Sequence, residues 1–372
     1  MRRKDGREKS GSRWVIKIEL IVLLAFVCVA ISRELESKTT DSAWQEEADG
    51  GREADTGEAI EVSSTGDYIK WVEFHVTCEA LAAAYELDVA SCQEEVHLDW
   101  IELLACVGAR HGGKFDSGSV REIGETAEKL RGKEMTMEKL TEDMEYYEYY
   151  LEAYSAVLSG MVGEFSLKEN GQWKKYYGLK AFSPIAKGFD YSHYDDFGAS
   201  RSYGYSRPHL GHDMMGQIGT PIIAVESGVV EALGWNQYGG WRIGIRSFDG
   251  KRYYYYAHLR QNYPYAEWLE EGSVVTAGDV IGYMGHTGYS VKENVNNIET
   301  VHLHWGLQLI FDESQKEGSN EIWIDCYELT KFLYRNRSEV SKIEDSKEWR
   351  RVSEMEDPEV EKHCKMDTPM IQ

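Results

Sequence analysis

Residues 165–335 contain a series of short strand-like runs that limits the folds open to the chain. Turn residues separate five such runs, at 220–235, 239–248, 251–259, 273–285 and 301–311. β-Branched and aromatic residues alternate there with polar ones, as is typical of half-buried strands. Internal glycines at Gly228, Gly244 and Gly282 indicate bulges and tight crossings. The pattern predicts a mainly antiparallel β domain.

Three glycine-rich segments of this region carry side chains that suit a metal site. HLGHD offers His209 and Asp213, and HLH offers His302 and His304. Side chains at positions i and i+2 of a strand share a face, so both imidazoles of HLH can point into one cleft. The segment AHL ends a strand-like run and can bring His258 to the same cleft. Imidazole nitrogen and carboxylate oxygen are ligands that zinc prefers, and a catalytic zinc site keeps one position for water.

The order of these segments resembles that of the M23 metallopeptidases, the family of lysostaphin and LytM. The resemblance covers about residues 180–312 and includes VTAGDVIGYMGHTGYS at 275–290. It implies a β-rich zinc peptidase domain. It gives no assignment for the helical region that precedes it.

The resemblance implies a role for each of five side chains. His209, Asp213 and His304 are expected to bind Zn²⁺. His302 and His258 are expected to be the catalytic histidines. One would act as general base and the other would stabilise the oxyanion, and we favour His302 as the base.

His212 lies inside HLGHD but is not expected to bind the metal. It is adjacent to Asp213, and neighbouring residues of a strand point to opposite faces. Three protein ligands are also sufficient for a catalytic zinc.

The N-terminus differs in character from the rest of the chain. Residues 1–13 are basic, and residues 14–32 form an apolar run just long enough to cross a bilayer as one helix. Basic residues before such a span keep that end in the cytoplasm. We therefore expect a single-pass membrane anchor with the C-terminal part outside the cytoplasm. A cleaved signal peptide is the alternative, although Cys28 and Ala30 form a poor cleavage site.

Composition divides the remainder of the chain. Residues 33–67 are acidic, polar and aperiodic, which predicts a disordered linker. Residues 68–164 carry helical patterns and predict a small helical domain. Apolar residues spaced three and four apart from Met137 to Leu158 form one stripe there, which indicates a buried helix face. Residues 336–372 are charged and aperiodic and predict a loose C-terminal tail.

The predicted fold class is therefore multidomain α+β. It combines the transmembrane helix, the small helical domain and an M23-type peptidase domain at 165–335. The net charge of −23 excludes nucleic acid as a natural partner. The cysteines have no CxxC spacing, so we expect neither a disulfide framework nor cysteine metal ligands.

Two functions remain open from the sequence. The first is a membrane-anchored zinc endopeptidase that cuts the peptide stems or cross-bridges of bacterial peptidoglycan. The second is a catalytically idle or regulated scaffold or activator at the cell envelope, for example in sporulation or division. All five site positions are filled, which favours the enzyme. The helical domain is a candidate for covering the cleft or for binding an envelope protein partner.

Overall fold

The computed structural model describes residue 69 and residues 71–203, 205–316 and 320–366. The described residues belong to one compact unit. The predicted basic tail, anchor and acidic linker, at 1–13, 14–32 and 33–67, lie outside the described residues. Within the described part of the chain, every helix is too short or too polar to cross a bilayer.

Seven α-helices lie in the described residues, five before the main sheet and two after it. They are α1 (Cys78–Ser91), α2 (Trp100–His111), α3 (Ser117–Arg131), α4 (Met137–Thr141), α5 (Tyr147–Leu158), α6 (Tyr327–Leu333) and α7 (Pro358–Met366). Polar side chains explain where the first three begin. Thr77, Asp99 and Asp116 each accept a hydrogen bond from a backbone N–H of the following turn.

The apolar stripe from Met137 to Leu158 is divided between two helices, because residues 142–146 leave the helical path. The Thr141 hydroxyl donates to the Met137 carbonyl at 2.9 Å, a back-bond that often bends helices. Tyr154 and Leu158 in α5 are fully buried, so the second half of the stripe is a core face.

Seventeen short strands make up the β-rich part of the described residues. They are β1 (Val162–Glu169), β2 (Gln172–Leu179), β3 (Ser192–Tyr194), β4 (Ser200–Tyr203), β5 (Tyr205–Pro208), β6 (His212–Met215), β7 (Pro221–Ile223), β8 (Gly228–Asn236), β9 (Gly240–Ser247), β10 (Arg252–Ala257), β11 (Val274–Val275), β12 (Val280–Tyr283), β13 (His302–Leu309), β14 (Ile322–Ile324), β15 (Val340–Lys342), β16 (Trp349–Arg351) and β17 (Met355–Glu356). The main sheet has the order β11-β8-β9-β10-β13-β6-β3, with β14 also paired to β13. The pairings between these strands are antiparallel, which confirms the mainly antiparallel β domain beside a small helical region.

The prediction of a loose tail after residue 335 is wrong for residues 336–366. Strand β17 pairs with β1, and Asp357 is 3% exposed. Its carboxylate accepts hydrogen bonds from Lys180 Nζ at 2.8 Å and from the Ser227 hydroxyl at 2.7 Å. Strands of two or three residues are too short to show a hydrophobic period, which is why the sequence pattern missed them.

A buried ion pair joins the helical region to the main sheet. The Arg252 guanidinium is 2% exposed and donates to both carboxylate oxygens of Glu226, at 2.8 and 3.0 Å. It also donates to the Ala156 carbonyl of α5 at 3.1 Å, and the Tyr254 hydroxyl donates to Glu226 at 2.6 Å. The helices therefore share a hydrogen-bonded core contact with strand β10.

Substitution Glu226→Ala is expected to destabilise the protein strongly, because it removes the buried carboxylate from Arg252 and leaves only the partly exposed Asp249 as its counter-ion. Breaking a buried pair in this way costs about 3–5 kcal/mol in the free energy of unfolding. Urea denaturation followed by circular dichroism measures it. Arg121→Gln is the control, since that side chain is 77% exposed and its pair with Glu125 is worth about 0–1 kcal/mol. A loss for Glu226→Ala no larger than that of the control would contradict the prediction.

Candidate active site

The site is built on strand β13, which pairs with β10 on one side and with β6 on the other. His304 is directly opposite Asp213 of β6 and Ala257 of β10. His302 lies two residues before His304 on the same strand face. His258 follows the last residue of β10. The three segments singled out in the sequence therefore meet at one end of the sheet.

His209, Asp213 and His304 form the cluster predicted to bind metal. Their ligand atoms lie within 4.8 Å of one another. Asp213 Oδ1 is 3.0 Å from His209 Nε2 and 3.0 Å from His304 Nδ1, and the two nitrogens are 2.9 Å apart. The Asp196 carbonyl lies 3.3 Å from His209 Nδ1, which orients Nε2 toward the cluster. Two imidazoles and one carboxylate match a three-ligand catalytic zinc site.

His302 and His258 face each other beside this cluster, with ring centroids 4.7 Å apart. His302 Nδ1 is 2.8 Å from the Thr300 carbonyl, and His258 Nδ1 is 3.0 Å from the Thr287 carbonyl. A carbonyl oxygen can only accept, so each Nδ1 carries the proton. Each Nε2 therefore keeps a lone pair that can accept a proton from a group in the cleft.

Residues 207–318 match the family model described as Peptidase family M23. This segment is an M23 peptidase domain. All five predicted site residues lie within it.

Two curated relatives are similar to part of the chain. One is the L-Ala--D-Glu endopeptidase of Bacillus subtilis (strain 168), 36% identical over 148 residues, which are 40% of this chain and 44% of the relative. The other is lysostaphin of Staphylococcus simulans, 37% identical over 89 residues, which are 24% of this chain and 17% of the relative. The chain thus spans less than half the length of each of these relatives.

A solved structure from Ruminococcus gnavus, proposed to be the glycyl-glycine endopeptidase lytM, is also similar to this chain. It shows 25% sequence identity and a TM-score of 0.43, and the match covers 69% of this chain and 87% of that chain.

His258 of the M23 domain has a backbone conformation that side-chain-bearing residues rarely adopt. Its φ angle is 62°, in the left-handed region. Its N–H donates to the Gly239 carbonyl at 2.8 Å, which fixes this geometry. Such strain clusters at functional sites, where surrounding contacts hold it in place.

Burial and mutual contact set the protonation of the cluster. Burial raises the pKa of Asp213, but hydrogen bonds from His209 and His304 outweigh it and bring that pKa far below its usual range. Burial lowers the pKa of His258 well below its usual value, and the charges of His302 and His304 lower it further. Burial also lowers the pKa of His304. An ionised carboxylate beside neutral imidazoles is the state that a metal ligand set requires.

Position 211 of HLGHD is a glycine, and a side chain there would collide with His304. A Cβ there would lie 2.5 Å from His304 Cε1 and 2.6 Å from its Nε2. Either the imidazole or the strand would have to move. The glycine therefore preserves the position of a side chain that is predicted to bind metal.

His212 lies outside the metal cluster and contacts a histidine that the sequence did not single out. His212 Nε2 is 2.8 Å from His193 Nδ1 of β3, the strand that pairs with β6. Burial lowers the pKa of His212 to about 3, and His193 contributes to that shift. No motif marks His193, because its role depends on pairing between β3 and β6.

The cleft that holds these five residues has a volume of about 480 Å³. Tyr253 and Tyr255 of β10 point into it, whereas the alternate residues Tyr254 and Tyr256 are 0% exposed in the core. Strand periodicity could have separated the two pairs. Arg207 also lines the cleft, and no sequence pattern indicated it.

We expect Asp213→Ala to weaken zinc binding by at least about 100-fold, because it removes a ligand and the acceptor that orients two imidazoles. Titration against a zinc-binding chromophore measures the affinity. His286→Ala is the matched control, since its ring nitrogen contacts the Ile298 carbonyl at 2.7 Å, away from the cluster. Zinc should also raise the Tm of the parent protein more than that of Asp213→Ala. Equal zinc affinity in both proteins would remove Asp213 from the ligand set.

Proposed function

We propose that this protein is a zinc metalloendopeptidase that hydrolyses peptide bonds of bacterial peptidoglycan, in its stems or cross-bridges. The observation that carries the proposal is the meeting of His209, Asp213 and His304 with His302 and His258 in one cleft. The similarity to an L-Ala--D-Glu endopeptidase and to lysostaphin supports a peptide bond of the cell wall as the target.

His209, Asp213 and His304 would hold the zinc ion, which supplies a Lewis acid that polarises the scissile carbonyl and acidifies water. His302 Nε2 is 3.8 Å from Asp213 Oδ2, so it faces the space next to the metal cluster. There it accepts the proton that the attacking water loses. The Thr300 carbonyl stabilises the resulting imidazolium through Nδ1–H.

The proton that His302 accepts from the attacking water is used again to complete the reaction. The water oxygen bonds to the carbonyl carbon, the C–N bond breaks, and His302 returns the proton to the leaving amine nitrogen. His258 donates to the developing oxyanion only when its Nε2 is protonated, and burial disfavours that form. With its Nε2 unprotonated, His258 can instead accept a hydrogen bond from a group in the cleft.

The cellular setting completes the proposal. Residues 14–32 would anchor the protein in the cell membrane as a single pass, with the M23 domain outside the cytoplasm and facing its substrate. An envelope protein partner for the helical region stays a prediction.

The test is a digest of purified peptidoglycans of several cross-link chemistries by the zinc-loaded protein. We expect new amine and carboxylate termini that mass spectrometry assigns to one type of bond. His302→Ala should lower the rate by about 10²–10⁴-fold, the usual contribution of a general base. His111→Ala, on helix α2, is the control and should retain full activity.

One result would refute the peptidase. If the protein binds zinc but yields no new termini from any wall type, the site is catalytically idle. A scaffold or activator role would then be the better description.

A further inference from the structure

The cleft is lined mainly by positive charges, although the protein as a whole is acidic. The chain has a net charge of −23. Apart from histidines, the charged side chains that line the cleft are four cations and two carboxylates, namely Arg201, Arg207, Arg242, Lys316, Asp213 and Glu321. A cationic cleft in an acidic protein attracts anionic ligands. The arrangement therefore points to an acidic group on the substrate.

Two of the four cations already have protein counter-ions. Arg201 forms an ion pair with Asp196, and Lys316 forms one with Glu231. Their charges are compensated within the structure.

Arg207 and Arg242 are different. Among the described residues, neither guanidinium has a carboxylate within salt-bridge distance, and the Nε of each is buried without a hydrogen-bond partner. A partly desolvated cation without a counter-ion is costly, and a carboxylate in the cleft would relieve that cost.

Aromatic rings hold Arg207 in place. Its guanidinium lies 4.6 Å from the centre of the Tyr238 ring and 5.6 Å from that of Tyr289, and Nη2 donates to the Tyr289 hydroxyl at 3.4 Å. Stacking of this kind fixes the plane of a guanidinium while leaving N–H groups for a bidentate partner. Arg207 is therefore preorganised for a planar anion.

Arg207 and Arg242 line the same cleft as Tyr255. The Tyr255 ring is also 5.9 Å from the ring of the metal-cluster residue His304. The two cations thus share one wall of the cleft with the metal cluster.

The distance to the reacting bond is short. The Tyr289 ring that contacts Arg207 lies 6.1 Å from the ring of His258. One aromatic ring therefore separates the cation from a catalytic histidine. An extended peptide advances about 3.3 Å per residue, so the anion would lie within a few residues of the bond that is cut.

We infer that Arg207 and Arg242 form a carboxylate subsite, so that the substrate is an acidic peptide with a free carboxylate close to the scissile bond. This inference rests on the proposed peptidase function and narrows it. Among the peptide bonds of peptidoglycan, such a subsite favours those beside the glutamyl residue of the stem over neutral glycyl bridges. The fork of a guanidinium matches a carboxylate, whereas an amide offers it half the acceptors and no charge.

The experiment uses two peptides that differ in one group. One is L-Ala-γ-D-Glu-L-Lys-D-Ala with a free α-carboxylate on the glutamyl residue, and the other carries an amide there. With the zinc-loaded protein we expect kcat/KM to be about 10- to 100-fold higher for the acid, the usual effect of a charge-assisted hydrogen bond. Arg207→Gln and Arg242→Gln should each bring the acid-to-amide ratio toward one.

Arg121→Gln is the matched control, because it removes the same charge from a site outside the cleft. It should keep the ratio of the parent protein. Thermal melts show whether each variant is folded. The two peptides on the unmodified protein decide the question even if a variant unfolds.

A binding measurement distinguishes the failure of this inference from the failure of the proposed function. Calorimetry with the zinc-loaded His302→Ala variant compares the affinities for the acid and the amide without turnover. Tighter binding of the acid without cleavage by the parent protein would support the subsite and refute the peptidase. Cleavage of both peptides with equal kcat/KM, or equal affinity for both when neither is cleaved, would overturn the subsite.

Discussion

The pairing of β13 between β6 and β10 is the constraint on which the site depends. It sets His304 opposite Asp213 on one side and opposite Ala257 on the other. Antiparallel registers are specified along the whole strand, so these neighbours are fixed by many backbone hydrogen bonds. His209 and His258 lie in the segments that lead into β6 and out of β10. The site is thus largely a property of the sheet, and the surrounding loops contribute only two of its five side chains.

Buried charged groups attach the remaining segments to this sheet. Arg252 of β10 pairs with Glu226 and donates to the Ala156 carbonyl of helix α5, and Lys180 and Asp357 connect the start of the β region to the segment before α7. A buried charge pair contributes less net stability than its Coulomb energy suggests, but it is costly to break. The helical region and the C-terminal segment are therefore integral to the unit. Removing the C-terminal segment would leave Lys180 buried without Asp357, and removing the helices would take the Ala156 carbonyl away from Arg252.

Strand alternation was sufficient to predict the β domain, and the resemblance to the M23 metallopeptidases indicated the five residues that the structure brings into one cleft. Period-two alternation and the spacing within HLH are properties of single strands, whereas HLGHD spans a loop and the start of β6. The boundary between α4 and α5, the packing of Asp357 and the contact of His193 with His212 were not predictable in this way. Asp357 and His193 depend on partners in other segments of the chain, and the boundary between α4 and α5 coincides with the hydrogen bond of Thr141 to the Met137 carbonyl. Arg207 was missed for the same reason, since Tyr238 and Tyr289 reach it from separate loops.

The tyrosine run of β10 has a consequence for folding. Because residues 253–256 are all tyrosine, a shift of the strand by one or two places would change little of the area that it buries. Polar partners must therefore set the alignment. The Tyr254 hydroxyl requires Glu226, the Tyr256 hydroxyl accepts from the Val225 N–H at 3.1 Å, and Arg252 requires the same glutamate. Glu226 thus helps to fix the alignment of β10, and with it the position of His258 in the cleft. Misalignment at the start of β10 would displace His258 at its other end, next to the predicted zinc site.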